Sequence, residues 1–446
     1  MMPSRTIHSH HNQAPTLVVG LGMTGYSVAC HLAEKEVLFE VIDSRENPPY
    51  LAKMKEQYPS IPVRTGVTLD KVDSDYGEVI VSPGIPWESA DNVIGDIEVF
   101  AREVNAPVIG ITGSNGKSTV TMLVTKMLEA AGFKVKTGGN IGVPALELLR
   151  GERPDFYVLE LSSFQLERVA SLACCSAVVL NVSEDHMDRY DSMKHYQETK
   201  YQIYRNAETI VLNRDEGLEL PAAGEQTRIL TFGLDQPGSA SDFGIIECDG
   251  EDVFAQGVEC LGSKKDMVMN GQQNVSNMLA AMALIAGAGV RPDKAWVAGG
   301  LSYPGLAHRC EVVLKRKGVC WINDSKGTNV GATIAAISGL EGKGILIAGG
   351  MGKGADFSPL KEILSQKIKH LILIGRDAQI IADAVRGSTH LHFQSTLHDA
   401  VSLADELVSD EQFVVLSPAC SSYDMFDSFG HRGDCFRHIV MELADE

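Results

Sequence analysis

Pro107-Val108-Ile109-Gly110-Ile111-Thr112-Gly113-Ser114-Asn115-Gly116-Lys117-Ser118-Thr119-Val120 is the stretch that sets the fold class. An apolar, β-branched run ends in a glycine-rich turn. The turn leads into a segment, from about Ser118 to Ala131, whose apolar residues recur at helical spacing. Strand, loop and helix in that order bring backbone amides and a helix N-terminus to a phosphate group. Gly116-Lys117-Ser118 has the core of a phosphate-binding loop, in which Lys117 reaches the β/γ-phosphates and the Ser118 hydroxyl takes a Mg²⁺ position. The pattern is incomplete, because Ile111 stands where the first glycine belongs and the glycines fall at 110 and 113. The setting nonetheless predicts a nucleoside triphosphate as ligand.

The same opening occurs twice more. Near the N-terminus, the strand Thr16 to Val19 precedes Gly20-Leu21-Gly22-Met23-Thr24-Gly25, a helix to about Glu36, and a strand from Val37 to Ile42 that closes at Asp43. This βαβ unit fits GxGxxG followed by a carboxylate. A nicotinamide dehydrogenase would carry it too, but would leave the Lys117 loop and the later lysine loops without a use. The turn is read as a berth for some other nucleotide's diphosphate, against the plainer alternative of a turn needed only for packing. The third opening follows Pro304-Gly305, with strands Val319 to Ile322, Gly344 to Ala348, His370 to Ile374 and Phe413 to Leu416. In the middle, Tyr157 to Leu159, Ala177 to Leu180 and Ile210 to Leu212 read as strands and Asn274 to Ala288 as a helix. The region from about 216 to 266 looks like an antiparallel insertion or flap. Alternating strands and helices predict α/β architecture with largely parallel sheets. Three domains are expected: Rossmann-like over 1–95, a central P-loop ATPase over 96–305, and Rossmann-like over 306–446.

The 446 residues carry a net charge of −19, with 44% hydrophobic and 22% charged residues. Such an acidic surface argues against nucleic acid and against anionic membranes, and confines polyanion binding to local sites. Apolar runs such as Ala280 to Gly289 are too short to span a bilayer. Nine cysteines without CxxC spacing suit a reduced, cytoplasmic set of buried thiols. The polar first 15 residues, with His8, His10 and His11, are expected to be a disordered extension.

Further candidates stand at strand ends, where open α/β sheets bind ligands. Glu160, after Tyr157-Val158-Leu159, is either a Mg²⁺ ligand beside the phosphate loop or a helix-capping residue. Asn181-Val182-Ser183-Glu184-Asp185-His186-Met187-Asp188 offers oxygen and imidazole donors for a second divalent ion, or a merely structural loop. Asp324-Ser325-Lys326-Gly327-Thr328-Asn329, Gly349-Gly350-Met351-Gly352-Lys353-Gly354 and Ser417-Pro418-Ala419-Cys420-Ser421-Ser422 follow three strands. Their lysines suit a carboxylate substrate or a developing negative charge.

Gly113 to Thr119, Glu160-Leu161-Ser162-Ser163, Asn181 to His186, His308-Arg309 and Asp324-Ser325-Lys326 resemble, in that order, the landmarks of the Mur ligases. The resemblance runs from about Leu17 to the last helix, and is weak only in the first 15 residues and around 216 to 266. It implies an ATP-dependent, ADP-forming amide ligase of peptidoglycan precursor synthesis, working as a monomer on small molecules through an acyl phosphate and a tetrahedral intermediate. The N-terminal unit with Asp43-Ser44-Arg45, together with Ser417 to Ser422 and Phe429, implies addition of D-glutamate to UDP-N-acetylmuramoyl-L-alanine. Under it, Met23, Thr24, Gly25, Asp43, Ser44, Arg45 and Gly84 would hold the uridine diphosphate, and Asn140 and His186 would line the path to the substrate carboxylate. The loop from Gly113 to Val120, with Asn274, Arg309 and Asp324, would bind ATP. Ser118 and Glu160 would share one Mg²⁺; His186 and a carbamylated Lys200 would hold a second. Lys326, Thr328, Lys353, Ser422 and Phe429 would receive D-glutamate. Lys117, His186, Lys200 and Asn140 are the implied catalytic set. Other Mur ligases and folylpolyglutamate synthase remain as alternatives, the latter lacking the N-terminal unit. A phosphate-loop binding protein without ligase chemistry is another.

Overall fold

The computed structural model describes residues 14–443 apart from 69–75, 88–90, 188, 221–223, 225, 270 and 410–412. The expectations for His8, His10, His11 and Asp188 lie outside the described residues.

Three sheets follow one another along the chain. The first is all parallel, in the order β3-β2-β1-β4-β5, from β1 (Thr16–Val19), β2 (Phe39–Asp43), β3 (Val63–Thr65), β4 (Glu78–Val81) and β5 (Val93–Ile94). The second contains β6 (Val108–Thr112), β7 (Val135–Gly139), β8 (Phe156–Glu160), β9 (Ser176–Val179), β10 (Thr209–Asn213), β11 (Arg228–Phe232), β12 (Phe243–Cys248), β13 (Glu251–Gln256) and β14 (Glu259–Ser263). Their order is β14-β13-β12-β11-β10-β9-β6-β8-β7. The third, β15-β16-β20-β17-β18-β19, is built from β15 (Glu311–Arg316), β16 (Val319–Asn323), β17 (Gly344–Gly349), β18 (Ile368–Ile374), β19 (His390–Phe393) and β20 (Phe413–Leu416). Only its edge strand β15 is antiparallel. The fold is therefore α/β throughout. Strands such as β6, β8 and β17 are buried on both faces and accordingly read as continuous apolar runs.

Three local expectations need correction. The second strand begins at Phe39, not Val37. The helix Met23–Glu34 closes through Glu36 in the left-handed region (φ 56), and Val37 N–H donates to Leu32 O at 3.0 Å, so Val37 belongs to the helix terminus, while Leu38 O already accepts from Thr16 N–H at 2.9 Å. The 216–266 region is antiparallel as expected over β12-β13-β14, but it is part of the central sheet, which β11 and β12 continue in parallel. Strands β3, β5, β7, β15 and β19 are not legible in the sequence: each is an edge strand, and none is a long continuous apolar run.

One core cluster runs without a break from the first sheet, through the helix Asp96–Glu103, onto one face of the second, joining Val18, Phe100 and Leu159. The other face of the second sheet packs on the helices Lys117–Ala130, Gln272–Gly287 and Lys294–Leu301. At the first junction Asp96 is 3% exposed. Its Oδ2 accepts from Gln165 Nε2 at 3.3 Å, and its Oδ1 has no partner among the described residues. Burial raises its pKa from 3.8 to about 6. The unfolded chain loses this proton first, so stability falls as pH rises from about 4 to about 6 and stays reduced above that, by at most on the order of 3 kcal/mol. Asp96→Asn is expected to raise the melting temperature at pH 7.5 and leave it unchanged near pH 3.5. Equal effects at both pH values would show that the charge is not the cause.

Candidate active site

β6 lies between β8 and β9, with Ile111 opposite Glu160 and Thr112 opposite Val179. The chain crosses to the other side of β6 at this point, which opens a crevice at the carboxyl ends of the strands. Gly116 caps the following helix at φ 80, where a Cβ would fall 2.7 Å from Asn277 Oδ1. Only glycine fits there. Lys117 Nζ donates to the carbonyls of Gly113 (2.7 Å) and Ser114 (2.8 Å). Lys200, 1% exposed, donates to the same Gly113 carbonyl at 2.9 Å and lies 4.4 Å from the centre of the Tyr196 ring. Burial and the neighbouring Lys117 push the Lys200 pKa well below its usual value; burial also lowers that of Lys117. Val120 is fully buried beneath the loop.

The Asn181 to Ser183 segment braces this loop. Asn181 O and Oδ1 accept from the N–H groups of Ser114 (3.0 Å) and Asn115 (2.8 Å), and Ser183 N–H donates to Ser114 Oγ at 3.0 Å. His186 is exposed and left-handed (φ 58), its ring 4.7 Å from that of Phe164 and its Nε2 3.7 Å from Asp185. Among the described residues no three His, Cys, Asp or Glu side chains form a ready-made metal shell.

Glu160 takes a hydrogen bond on each oxygen, from Ser118 Oγ at 2.5 Å and from Asn140 Nδ2 at 2.7 Å. Arg309, which comes from beyond the second sheet, donates to Ser118 Oγ at 2.6 Å. A cation thus already stands on the hydroxyl that is paired with the carboxylate. Those hard oxygen donors fit Mg²⁺.

Facing the loop are three turns of the third sheet. Buried Asp324 accepts from Ser417 Oγ (2.7 Å) and Cys310 N–H (3.2 Å), and burial raises its pKa to about 6. Lys326 Nζ lies 4.0 Å from the Phe429 ring centre; burial, Arg309 and Lys117 lower its pKa to about 8. Met351 and Ser421 exchange backbone hydrogen bonds, joining the turn of Lys353 to that of Ser422. Between the two walls lies a cavity of about 1040 Å³. It is lined by Ser114 to Ser118, Asn140, Glu160, His186, Lys200 and Arg309 on one side, and by Lys326, Thr328, Lys353, Ser422 and Phe429 on the other. Asn274, Arg309 and Asp324 meet Asn115, Gly116 and Thr119 around a second cavity of about 50 Å³, room for a few waters only. This space shares Asn115, Gly116, Arg309 and Lys326 with the larger cavity and is by itself too small for a nucleotide.

The residues read as a diphosphate berth line neither cavity. Asp43 is buried: its Oδ2 accepts from Leu21 N–H at 2.7 Å, and Arg45 grips both oxygens at 2.9 and 2.6 Å. It therefore holds the glycine turn itself. A Cβ on Gly25 would lie 1.8 Å from Gly20 O, which makes that glycine indispensable to the turn. Met23, Ser44, Arg45 and Gly84 are exposed beside it, with Thr24 half-buried.

Profiles of known families match all three parts of the chain: the MurD-like N-terminal domain over 14–95, the Mur ligase middle domain over 111–285, and the glutamate ligase domain over 308–420. A protein of Pseudomonas aeruginosa named UDP-N-acetylmuramoylalanine–D-glutamate ligase is 44% identical, over 96% of this chain and 98% of its own. The chain belongs to the Mur ligase family. A protein of the same name from Legionella pneumophila (strain Paris) is 43% identical to this Mur ligase over 97% of the chain and 100% of its own. In fold it matches a pseudomurein peptide ligase type C from Methanothermus fervidus, with a TM-score of 0.61 at 18% identity over 97% of this chain and 100% of the other. Phe164, Tyr196, Met351 and Tyr423 also line the large cavity of this Mur ligase. Only structure picks them out, because nothing in an aromatic or a methionine beside a motif says which way it points.

Proposed function

We propose that this Mur ligase joins D-glutamate to UDP-N-acetylmuramoyl-L-alanine, converting ATP to ADP and phosphate, as a step of peptidoglycan precursor synthesis. One observation carries the reading: a single cavity has a phosphate loop on one wall and lysine-bearing turns on the other. The division of labour follows the chain, with the UDP-sugar on 1–95, ATP on 96–305, and the amino acid with part of ATP on 306–446.

The alanyl carboxylate oxygen attacks the γ-phosphorus and ADP leaves. The amine nitrogen of D-glutamate then attacks the acyl carbon, the C–O bond to phosphate breaks, and a proton is released. Lys117 holds the β/γ-phosphates at the N-terminus of the helix it opens. Ser118 and Glu160 would hold Mg²⁺, which supplies charge neutralisation on the phosphates. Asn140 keeps Glu160 aimed at that place. His186 and a carbamylated Lys200 are the proposed ligands of a second ion. Asn274, Arg309 and Asp324 receive the nucleotide; Met23, Thr24, Ser44, Arg45 and Gly84 receive the uridine diphosphate on the turn that Gly25 permits and Asp43 holds. Lys326 lines the cavity with its pKa lowered to about 8, and an arriving carboxylate would stabilise its ammonium. Thr328, Lys353, Ser422 and Phe429 complete that subsite. Both walls of the cavity come from the same chain, so the proposed site needs no second copy. No described helix is long and apolar enough to cross a membrane. All nine cysteines are free, as suits the cytoplasm.

The test is ADP release with UDP-N-acetylmuramoyl-L-alanine and each of D-glutamate, L-glutamate, L-alanine and L-lysine. Turnover with D-glutamate alone is expected. Turnover with another amino acid but not D-glutamate would overturn the substrate and keep the ligase.

A further inference from the structure

The helix Phe429–Glu442 carries a guanidinium that the proposed chemistry leaves unused. Arg432 is 1% exposed, and its hydrogen bonds go to no carboxylate. Burial lowers its pKa to about 10. A buried charge of this kind is tolerated only where its donors are satisfied. Here they converge on two turns. Nε donates to Ser325 Oγ at 2.9 Å and Nη2 to Ser325 O at 2.8 Å, while Nη1 and Nη2 both reach Cys420 O at 3.2 Å. Ser325 Oγ donates onward to Phe429 O at 2.8 Å. The neighbouring Ala419 sits in the left-handed region (φ 58), and its N–H donates to Gly327 O at 2.8 Å, which joins the same two turns again.

Ser325 adjoins Lys326, Cys420 stands two residues before Ser422, and Phe429 lies under the Lys326 ammonium. One planar fork therefore sets the spacing of three groups, two from separate turns and one from the start of its own helix. Lysine, whose three donors sit on one nitrogen, cannot reproduce a fork that spans Ser325 and Cys420. We propose that Arg432 is the positioning residue for the incoming amino acid: it never touches the ligand, but fixes Lys326, Ser422 and Phe429 at the distance that amino acid requires. The inference rests on the amino-acid subsite proposed above.

The test compares Arg432→Met, Arg432→Lys and Ser325→Ala with the wild type, in steady-state kinetics for all three substrates and in thermal melting. Loss of charge-assisted hydrogen bonds is expected to raise KM for the amino acid by about tenfold or more, with KM for ATP and for the UDP-sugar held within about twofold. Arg432→Lys is expected to restore part of the loss. Ser325→Ala, which keeps one bond from Arg432 to the Ser325 carbonyl and cuts the link to Phe429, should shift the same KM by less. If Arg432→Met does not fold, the other two variants decide. Equal rises in all three KM values, or a lower melting temperature with every KM unchanged, would overturn the proposal. Wild-type turnover with an amino acid other than D-glutamate would refute the substrate assignment and leave this test intact, because the comparison uses whichever amino acid the wild type accepts.

Discussion

Lys117→Ala is expected to lower turnover by about 10³-fold or more, the scale set by removing a charge aimed at the transferring group. Lys117 Nζ rests on the carbonyls of Gly113 and Ser114, within the loop that its own backbone helps to form. Burial disfavours the ammonium there, and Glu160 and Asp185 support it. Triphosphate bound in the loop, as proposed, would add far more negative charge and compete with the two carbonyls for the ammonium. The substitution deletes that interaction without opening the core, since Lys117 is only half-buried and Val120 behind it is untouched. The melting temperature should therefore hold while kcat collapses. The measurement is ADP release at saturating substrates, with melting curves of both proteins. Activity within tenfold of the wild type would remove Lys117 from the chemistry.

The contrast between Lys117 and Arg309 shows which part of the site was legible in sequence. Lys117 stands at fixed offsets inside one strand-turn-helix unit, so its place follows from local pattern alone. Glu160 was legible for a related reason: a strand ending in a carboxylate, beside the strand that feeds the loop, has few places to put it. The 2.6 Å contact of Arg309 with Ser118 spans 191 residues and depends on how the third sheet docks. No spacing encodes that. Asn181 was read as a ligand candidate, yet its side chain and carbonyl are taken up in bracing Ser114 and Asn115. Its chemistry was legible and its direction was not. Asp43 repeats the lesson, with both oxygens occupied by Leu21 and Arg45. Arg432 gave no signal at all, because an arginine on a helix reads as solvated until the turns around it are in place. Parallel sheets were legible from their doubly buried apolar runs; the edge strands β15 and β19 were not.

Lys200→Ala is expected to lose about 10²-fold or more in turnover, on the scale of a lost metal-ligand or electrostatic contribution. Alone in sequence this residue is an ordinary helix lysine. The structure buries it to 1% exposure, on the Gly113 carbonyl and against Tyr196, with Lys117 as a like-charged neighbour. Burial and Lys117 disfavour the ammonium, against the Gly113 carbonyl and the Tyr196 ring face that favour it, and the neutral amine is the form able to add to carbon dioxide. That addition forms an N–C bond, releases one proton and leaves a carbamate. The lysine changes from a would-be cation beside Lys117 into an anion that attracts it and offers oxygens to a metal. Activity of the wild type should therefore fall on acidification, which reverses the addition, and recover when bicarbonate is supplied. In Lys200→Ala, formate, acetate or propionate should restore part of the lost rate by placing a free carboxylate in the vacated space. Labelled bicarbonate should give a carbamate carbon signal in the wild type that the variant lacks. A fully active Lys200→Ala, indifferent to added carboxylates, would dispose of the carbamate and leave Lys200 as a prop for the Gly113 carbonyl.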